Sequence, residues 1–407
     1  MTEQQKLPST FNRLAWSNLA AQSAEQVALA AAPIVAVLLL GAGEGETGLL
    51  QTALTLPFVL FAIPAGLLAD RLSRRWLMAS AEALRAVALL VTLVLIVAGW
   101  ITLPLLGFLG FVAVCGTVVY SVAAPALVPS LVPPAMLPAA NARIELARTA
   151  AFVAGPALGG LLVGWSGAGP AFGIAAALSV IAVVLLARLR EPAREIRHRH
   201  PVQEIREGLA FVFRHDLLRP VFFTQFIFNT AWFVILAVFV PYAVRHLGLS
   251  ASGVGTTLAM YGVGMLVGAL SATRVMRWLP FGTVIGLGPV TGFVASGVIA
   301  LTSVFPTPIL AGLGFFLLGA GPILWVISTT TLRQSVTPPR LLGRVSAINI
   351  LAYAARPLGA GLGALIGGVW GAEACLYAAV VIFGLQMMVI LLSQAVSLAR
   401  QPEMACD

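Results

Sequence analysis

Runs of apolar residues follow one another along nearly the whole chain, and this feature most restricts what the chain can fold into. Of its 407 residues, 59% are hydrophobic and 10% are charged. A soluble fold carries far more charge, whereas about 20 apolar residues cross the hydrocarbon core of a bilayer as a helix. The sequence therefore predicts an all-α polytopic membrane protein with twelve transmembrane helices. The predicted spans are residues 14–40, 48–69, 76–98, 103–127, 140–164, 168–189, 221–244, 251–274, 283–304, 308–331, 345–370 and 374–398.

One long hydrophilic stretch, residues 188–220, interrupts these apolar runs. It separates two groups of six spans, so we predict two six-helix bundles, residues 1–187 and 221–407, joined by an Arg-rich linker. Clustered arginines are also typical of nucleic-acid-binding patches, but the cytoplasmic loops of membrane proteins are expected to be rich in Lys and Arg. We therefore expect no nucleic-acid partner.

The positions of the basic residues predict the orientation of the chain. Arg85, Arg148 and Arg356 lie well inside predicted spans, and Arg245 lies in a loop on one side. The rest of the 24 Lys and Arg residues lie on the opposite side, in both tails, the linker and loops. The positive-inside rule makes that side cytoplasmic, including both termini. We expect a multi-pass protein of the bacterial cytoplasmic (inner) membrane, with the lipid bilayer as its surroundings.

The two groups of spans repeat each other. Two landmarks recur at an offset of 205 residues, and a run rich in small residues lies between them in each half. Parallel repeats of six helices are a known transporter design, so duplication explains the matches. The matched features are Pro133-Pro134 with Pro338-Pro339, Trp165 with Trp370, and Gly155 to Gly164 with Gly359 to Gly368.

The loop after the second predicted span reads Gly66-Leu-Leu-Ala69-Asp70-Arg71-Leu-Ser73-Arg74-Arg75. It resembles the signature loop between the second and third helices of the major facilitator superfamily. In that family the glycine permits close helix packing, the aspartate interacts with a helix start in the other half, and the arginines lock the cytoplasmic side. The resemblance implies a role in conformational switching for Gly66, Asp70, Arg71, Arg74 and Arg75. Ser73 stands where the family often has glycine, and an ordinary basic loop is the alternative.

A second motif, Gly155-Pro156-Ala-Leu-Gly159-Gly160, lies in the fifth predicted span. Proline removes one helical hydrogen bond and favours a bend, and glycines four residues apart form a face for close helix contact. The motif resembles the fifth-helix motif of proton-driven exporters in the superfamily, although Ala151 replaces a glycine of the fuller pattern. We expect this face to pack against a neighbour from the other half. A generic packing face is the alternative.

Three further segments extend the resemblance: Asn141 to Gly160, Glu207-Gly208-Leu-Ala-Phe211 and Gly343-Arg344-Val345. Together they look like the enterobactin-exporter and macrolide-efflux branch of the superfamily. The branch implies proton-coupled export of small amphipathic molecules, such as drugs or siderophores, by alternating access. It implies a monomer whose partners are a small-molecule substrate and protons, with no cofactor or metal. An importer or lysolipid transporter of the same fold is the alternative.

Polar residues inside the spans are the candidates for function, because hydrocarbon makes them costly. Four spans carry them at offsets of 0, 4 and 7 residues, which places each set on one helix face. In the superfamily these helices border the central cavity. The substrate site is therefore predicted to include Asn18, Gln22, Gln225, Asn229, Trp232, Asn349 and Tyr353.

Glu25 is the predicted proton carrier. At 1.5 Å per residue it lies about 16 Å from the start of its span, near the middle of the bilayer. All four histidines lie outside the spans, so carboxylates are left as the proton carriers. Arg148 and Arg356 are predicted counter-ions or anion contacts, with a purely structural ion pair as the alternative. Glu82 and Arg85, three residues apart, are expected to form a local pair. No catalytic cluster is apparent, so we expect no enzyme.

Overall fold

A computed structural model describes residues 8–133, 136–191, 201–338 and 341–402, and it is helical throughout its regular structure. The helices are α1 (Ser9–Leu38), α2 (Glu44–Arg71), α3 (Arg74–Val97), α4 (Leu103–Leu131), α5 (Leu137–Ser166), α6 (Ala168–Ala187), α7 (Pro201–Arg214), α8 (Leu218–Arg245), α9 (Ala251–Trp278), α10 (Phe281–Ala300), α11 (Pro308–Val336), α12 (Leu342–Leu351) and α13 (Ala355–Leu391). Short 3-10 turns, Leu301–Ser303 and Ala352–Ala354, follow α10 and α12.

Ten helical segments in the described part of the chain are long and apolar enough to cross a membrane. The last of them, Ala352–Leu391, contains both the end of the predicted eleventh span and the twelfth. The helix breaks between these spans at Gly371, whose φ of +84° is a conformation that glycine adopts without strain. The all-α, multi-pass fold is thereby confirmed. The final helix ends at Leu391, so the predicted end of the twelfth span was seven residues too late.

Contacts divide the chain into two compact units. Unit 1 comprises Met1–Gly41 and Ala53–His198, and unit 2 comprises Ala42–Thr52 and Arg199–Asp407. The start of α2 belongs to unit 2 because it packs against α13, where a Cβ at Gly48 would lie 2.5 Å from the Cα of Ala364. In unit 1, α1 packs on α5 and α6, and α3 packs on α4 and α6. In unit 2, α8 packs on α13, and α10 packs on α11 and α13.

The glycine face of α5 lies against α1 within unit 1. A Cβ at Gly155 would lie 2.3 Å from the Cβ of Gln26, and one at Gly159 would lie 2.9 Å from the carbonyl oxygen of Val27. The expected contact of this face with the other half was wrong, since glycine spacing predicts close packing but does not name the neighbour. In unit 2, Gly359 approaches α8 in the same way, with 2.2 Å between its added Cβ and the carbonyl oxygen of Thr230. The repeated glycine runs therefore make equivalent contacts.

Candidate functional site in the membrane helices

A cavity in unit 1 has one end lined by charged and polar groups. Glu25 of α1, Arg85 of α3 and Thr117 of α4 face it. The cavity continues between apolar side chains towards the ends of the helices at the α1–α2 and α3–α4 loops. The other residues that line it are Ala28, Leu29, Ala32, Leu54, Leu89, Thr92, Leu106, Leu109, Gly110, Ala113, Val114 and Phe172.

Arg85 is held at this end of the cavity by three helices. Its Nη1 donates to Glu82 Oε2 at 3.0 Å and lies 2.8 Å from Oε1, and the two side chains are 3% and 0% exposed. The same nitrogen donates to the carbonyl oxygen of Ala21 at 3.1 Å, and Nη2 donates to Thr117 Oγ1 at 2.6 Å. The predicted local pair is confirmed, but its contacts with α1 and α4 had no signal in the sequence. They fix a positive charge beside the cavity that Glu25 also lines.

The predicted polar face of α1 is divided between packing and the cavity. Asn18 is buried and donates through Nδ2 to the carbonyl oxygen of Ile144 in α5, at 3.3 Å. Gln22 and Glu25 are half-buried on the next turns. Asn18 therefore joins α1 to α5, while Glu25 is the residue of this face that lines the cavity.

Arg148, on α5, has its ion-pair partner one turn away. Its Nε donates to both carboxylate oxygens of Glu145, at 3.1 and 3.0 Å. Its guanidinium also lies 5.4 Å from the ring centre of Phe152. The two side chains of the ion pair are 35% and 57% exposed, so water screens much of their attraction. The role of Arg148 as a counter-ion of Glu25 stays a prediction.

In unit 2 the structure brings four of the predicted site residues together. Arg356 donates through Nε to Asn229 Oδ1 at 3.2 Å, and Asn229 donates through Nδ2 to the carbonyl oxygen of Gln225 at 2.8 Å. The guanidinium lies 4.1 Å from the ring centre of Tyr353 and 5.6 Å from that of Phe233. We call Asn229, Phe233, Tyr353 and Arg356 the Arg356 cluster. The side chain of Asn349 lies outside the described residues.

Trp232 follows Asn229 by three residues on α8, and it belongs to an aromatic group beside the Arg356 cluster. Its ring is stacked on Tyr261 of α9, with 4.7 Å between ring centres, and meets Phe315 of α11 edge-on at 5.6 Å. Aromatic pairs in such geometries stabilise helix packing beyond the area they bury. Trp232 thus joins α8 to α9 and α11 and presents apolar surface next to polar groups.

Glu191, to which the sequence analysis gave no role, binds the start of α3 in the predicted switching motif. It accepts hydrogen bonds from Ser73 Oγ at 2.5 Å and from the backbone N–H groups of Arg74 and Arg75, both at 3.1 Å. A carboxylate at a helix N-terminus satisfies free N–H groups and favours the helix dipole. Since Arg75 also donates to the carbonyl oxygen of Ala187, the motif is tied to the end of α6.

The structure describes the surroundings of some of the other residues in the switching motif. Arg74 donates through Nε to the carbonyl oxygen of Ala69 at 3.4 Å, and Arg71 ends α2. A Cβ at Gly66 would meet no heavy atom within 4 Å among the residues that the structure describes, so this glycine is not tightly packed here. The side chain of Asp70 lies outside the described residues.

Replacing Glu191 with Ala is expected to loosen the first turn of α3. Loss of a capping acceptor costs about 1 kcal/mol, and two backbone N–H groups would lose their partner. Amide hydrogen exchange in peptides covering residues 73–78 should therefore speed up, while exchange at the start of α8 should not change. Glu191→Gln, which keeps one acceptor oxygen, should show a smaller effect. Unchanged exchange in both variants would contradict the capping role.

The linker helix α7 packs against α12 and joins two of the segments singled out in the sequence. Glu207 forms an ion pair with Arg344, and a Cβ at Gly208 would lie 3.0 Å from Ile348 and 3.1 Å from the carbonyl oxygen of Arg344. Val212 packs in one cluster with Val345 and Ile348. The glycine is thus required for the close approach of the two helices, and the charges fix their register.

Comparison with known proteins decides the family. A sequence profile of the Major Facilitator Superfamily matches residues 14–359, which include both motifs and all the predicted site residues. The chain belongs to the major facilitator superfamily. It is therefore a secondary transporter in a membrane that carries a small-molecule substrate, and it is not an enzyme.

One relative of this superfamily member is itself named as an MFS-type transporter. The uncharacterized MFS-type transporter y4rN of Sinorhizobium fredii (strain NBRC 101917 / NGR234) is 31% identical over 253 residues, which are 59% of this chain and 60% of that relative. The match therefore spans less than two thirds of the relative's length.

Solved structures of other transporters share the fold over nearly the whole chain. A variant of the nucleoside transporter NupG has a TM-score of 0.76 at 13% identity, covering 94% of this chain and 99% of that one. A bacterial homologue of the iron transporter ferroportin has a TM-score of 0.74 at 17% identity, covering 95% and 99%. A bacterial homologue of the lysosomal transporter Spinster has a TM-score of 0.73 at 14% identity, covering 96% and 98%. At these identities the likeness concerns the fold alone.

Proposed function

We propose that this transporter is a proton-coupled exporter of small amphipathic molecules, acting as a monomer in the bacterial cytoplasmic membrane. Its two six-helix bundles are residues 1–187 and 221–407, and both termini face the cytoplasm. The exporter belongs to the enterobactin-exporter and macrolide-efflux branch, and it exchanges cargo for protons by alternating access.

The observation that supports proton coupling is the set of residues at the charged end of the unit 1 cavity. Glu25 and Arg85 line the same cavity, and Arg85 already has Glu82 as its buried ion-pair partner. Ionisable side chains inside membrane helices are costly and mark ion pathways and proton relays. Glu82 is buried, whereas Glu25 is half-buried and lines the cavity, so Glu25 is the carboxylate that can exchange a proton through the cavity.

Support for the outward direction comes from the α5 motif. Gly155 and Gly159 let α5 approach α1 at the turns next to Glu25, since the nearest atoms belong to Gln26 and Val27. A change in the proton on Glu25 therefore acts at a close helix contact, where small displacements reach α5. The resemblance of this motif to that of proton-driven exporters favours export over import.

The test of proton coupling compares Glu25→Gln with the wild type in proteoliposomes. The wild type should move protons inward when a macrolide, a catecholate siderophore, a dye or a lysolipid moves outward under a pH gradient. Gln cannot exchange a proton, so we expect gradient-driven transport in the variant to fall at least about tenfold, with binding of the same compound retained. The two fluxes are measured with an internal pH dye and by cargo accumulation.

The control is Glu145→Gln, which removes an acid from the exposed ion pair on α5. It should transport at close to the wild-type rate. Wild-type rates in Glu25→Gln would overturn the role of Glu25. Cargo and protons moving in the same direction would instead identify an importer, and transport of the lysolipid alone would identify a lysolipid transporter.

A further inference from the structure

Two arginines from different helices donate to the end of α6 in unit 1. Arg13 of α1 donates through Nη1 to the carbonyl oxygen of Arg188 at 2.6 Å, and Arg75 of α3 donates through Nη2 to the carbonyl oxygen of Ala187. Because these carbonyls belong to consecutive residues, both guanidinium groups are held at one helix end, which the helix dipole makes favourable for cations. A guanidinium has five N–H donors, so one such bond does not use up the donors of either arginine.

The side chain of Arg188 lies on an exposed, apolar face of α6. Arg188 keeps the αR conformation at the end of the helix. It follows Ile181 and Val184 by seven and four residues, which places the three side chains on one face. All three are exposed, and exposed large apolar side chains on a membrane helix face the lipid chains. Arg188 therefore lies where this face reaches the level of the lipid headgroups.

Helix α3 presents a similar face beside the same end of α6, on which it packs. Trp76, Leu84 and Val87 are exposed and lie at offsets of 0, 8 and 11 residues, within one broad stripe of the helix. The guanidinium carbon of Arg75 lies 4.6 Å from the centre of the Trp76 ring. Tryptophan is enriched at the level of lipid headgroups. Arg75 and Trp76 thus lie at the headgroup end of a second apolar face.

The charge at this end of unit 1 is strongly positive. Residues 9–16, 70–76 and 187–191 contain six arginines and two acids. One of these acids, Glu191, accepts hydrogen bonds from Ser73 and from the backbone N–H groups of Arg74 and Arg75, so its charge is directed at the start of α3. Basic clusters between membrane helices bind anionic headgroups, and each arginine near the surface strengthens this attraction about fivefold. The arginines are Arg13, Arg71, Arg74, Arg75, Arg188 and Arg190.

We propose that Arg13, Arg75, Trp76 and Arg188 form a binding site for an anionic phospholipid, which we call the α6-end site. The arginines bind the phosphate of the headgroup, and the acyl chains lie along the exposed apolar faces of α3 and α6. Free phosphate could use only the first of these contacts, so the occupant is a lipid. Since Arg75 belongs to the switching motif, the bound lipid holds this motif to the end of α6. The site requires neither the proposed cargo nor proton coupling.

The first test measures lipid binding to the full chain by native mass spectrometry, after delipidation in a mild detergent. The ligands are phosphatidylglycerol, phosphatidylcholine with the same acyl chains, and glycerol 3-phosphate. Phosphatidylglycerol should bind at least about fivefold more tightly than phosphatidylcholine, whose choline group places a positive charge near the arginines. Glycerol 3-phosphate should bind more weakly than phosphatidylglycerol, because it cannot contact the apolar faces.

Variants separate the α6-end site from a general effect of net charge. Arg188→Gln keeps the backbone carbonyl that accepts from Arg13, and it should lower the affinity for phosphatidylglycerol about fivefold. Arg188→Lys keeps the charge and should retain most of the affinity. The matched control is Arg277→Gln, which removes an exposed arginine next to the exposed Trp278 at the end of α9 in unit 2. It should bind phosphatidylglycerol as the wild type does.

The second test locates the bound lipid by amide hydrogen exchange of the wild type in nanodiscs. Nanodiscs that contain phosphatidylglycerol should slow exchange in peptides covering residues 73–78 and 184–191, relative to nanodiscs of phosphatidylcholine alone. Residues 274–281, at the end of α9 and the start of α10, should exchange equally in both. Arg13→Gln should reduce the protection of residues 184–191, because Arg13 donates to this segment.

Equal affinities for the two lipids would overturn the proposal, and so would equal losses of affinity in Arg188→Gln and Arg277→Gln. Glycerol 3-phosphate binding as tightly as phosphatidylglycerol would identify a site for free phosphate and refute the lipid as its occupant. Protection of residues 274–281 alone would place the lipid elsewhere. These results are independent of the transport test, so the lipid site would stand if Glu25→Gln transported at the wild-type rate.

Discussion

Replacing Arg85 with Met is expected to destabilise the transporter more than any other single change discussed for unit 1. The side chain is 3% exposed, and its loss would leave Glu82 buried without its ion-pair partner. Removing one member of a buried pair typically costs about 3–5 kcal/mol. The carbonyl of Ala21 and the hydroxyl of Thr117 would also lose their donor. The apparent Tm, followed by tryptophan fluorescence in a mild detergent, should therefore fall markedly.

The matched control for this prediction is the double variant Glu82→Met/Arg85→Met. Exchanging both members of a buried ion pair for apolar residues of similar volume is often neutral or stabilising. We therefore expect the double variant to unfold at a higher temperature than Arg85→Met. Equal Tm values for the two variants would show that the energetic effect of Arg85 does not depend on Glu82. A wild-type Tm in Arg85→Met would contradict the structural role of the pair altogether.

The fold could be predicted from the sequence because the membrane leaves few alternatives. Apolar runs must form helices that satisfy their own backbone hydrogen bonds, and the positions of the runs follow from hydropathy alone. Helix interruptions were harder to foresee. The 3-10 turn at residues 352–354 precedes Pro357, which has no N–H to bond the carbonyl of Tyr353, but membrane helices also contain prolines without such a break. The end of α13 at Leu391 likewise is not marked by a proline or glycine in the residues that follow it, 392–399.

The sequence could predict which helix faces carry the candidate site, but not every partner that its side chains contact. Periodicity brought Asn229 and Arg356 into the prediction, and the structure joins them by a hydrogen bond. Contact partners that lie far apart along the chain had no such signal. Glu191 looked like one charge among many in the linker, yet it binds the start of α3 across more than 110 residues. The glycine spacing in α5 likewise predicted a close contact without saying that α1 would make it.

Gly359→Ala is expected to destabilise unit 2, although alanine normally favours a helix over glycine by about 1 kcal/mol. The added Cβ would lie 2.2 Å from the carbonyl oxygen of Thr230 and 2.9 Å from its carbonyl carbon. These are backbone atoms of α8, so the helices must move apart and lose contacts along their interface. Overpacking of this kind costs about 1–3 kcal/mol.

The control for Gly359→Ala is Gly361→Ala, two residues further along the same helix. Among the residues that the structure describes, a Cβ at Gly361 would meet only the hydroxyl of Thr52, at 3.9 Å, which is an ordinary contact distance. Gly361→Ala should therefore leave the apparent Tm unchanged or raise it slightly, because the gain in helix propensity is not opposed by a clash. Gly359→Ala should lower both the Tm and the yield of folded protein. If the two variants shifted the Tm in the same direction and by the same amount, close backbone packing of α8 and α13 would not explain the recurring small residues in the two halves of this chain.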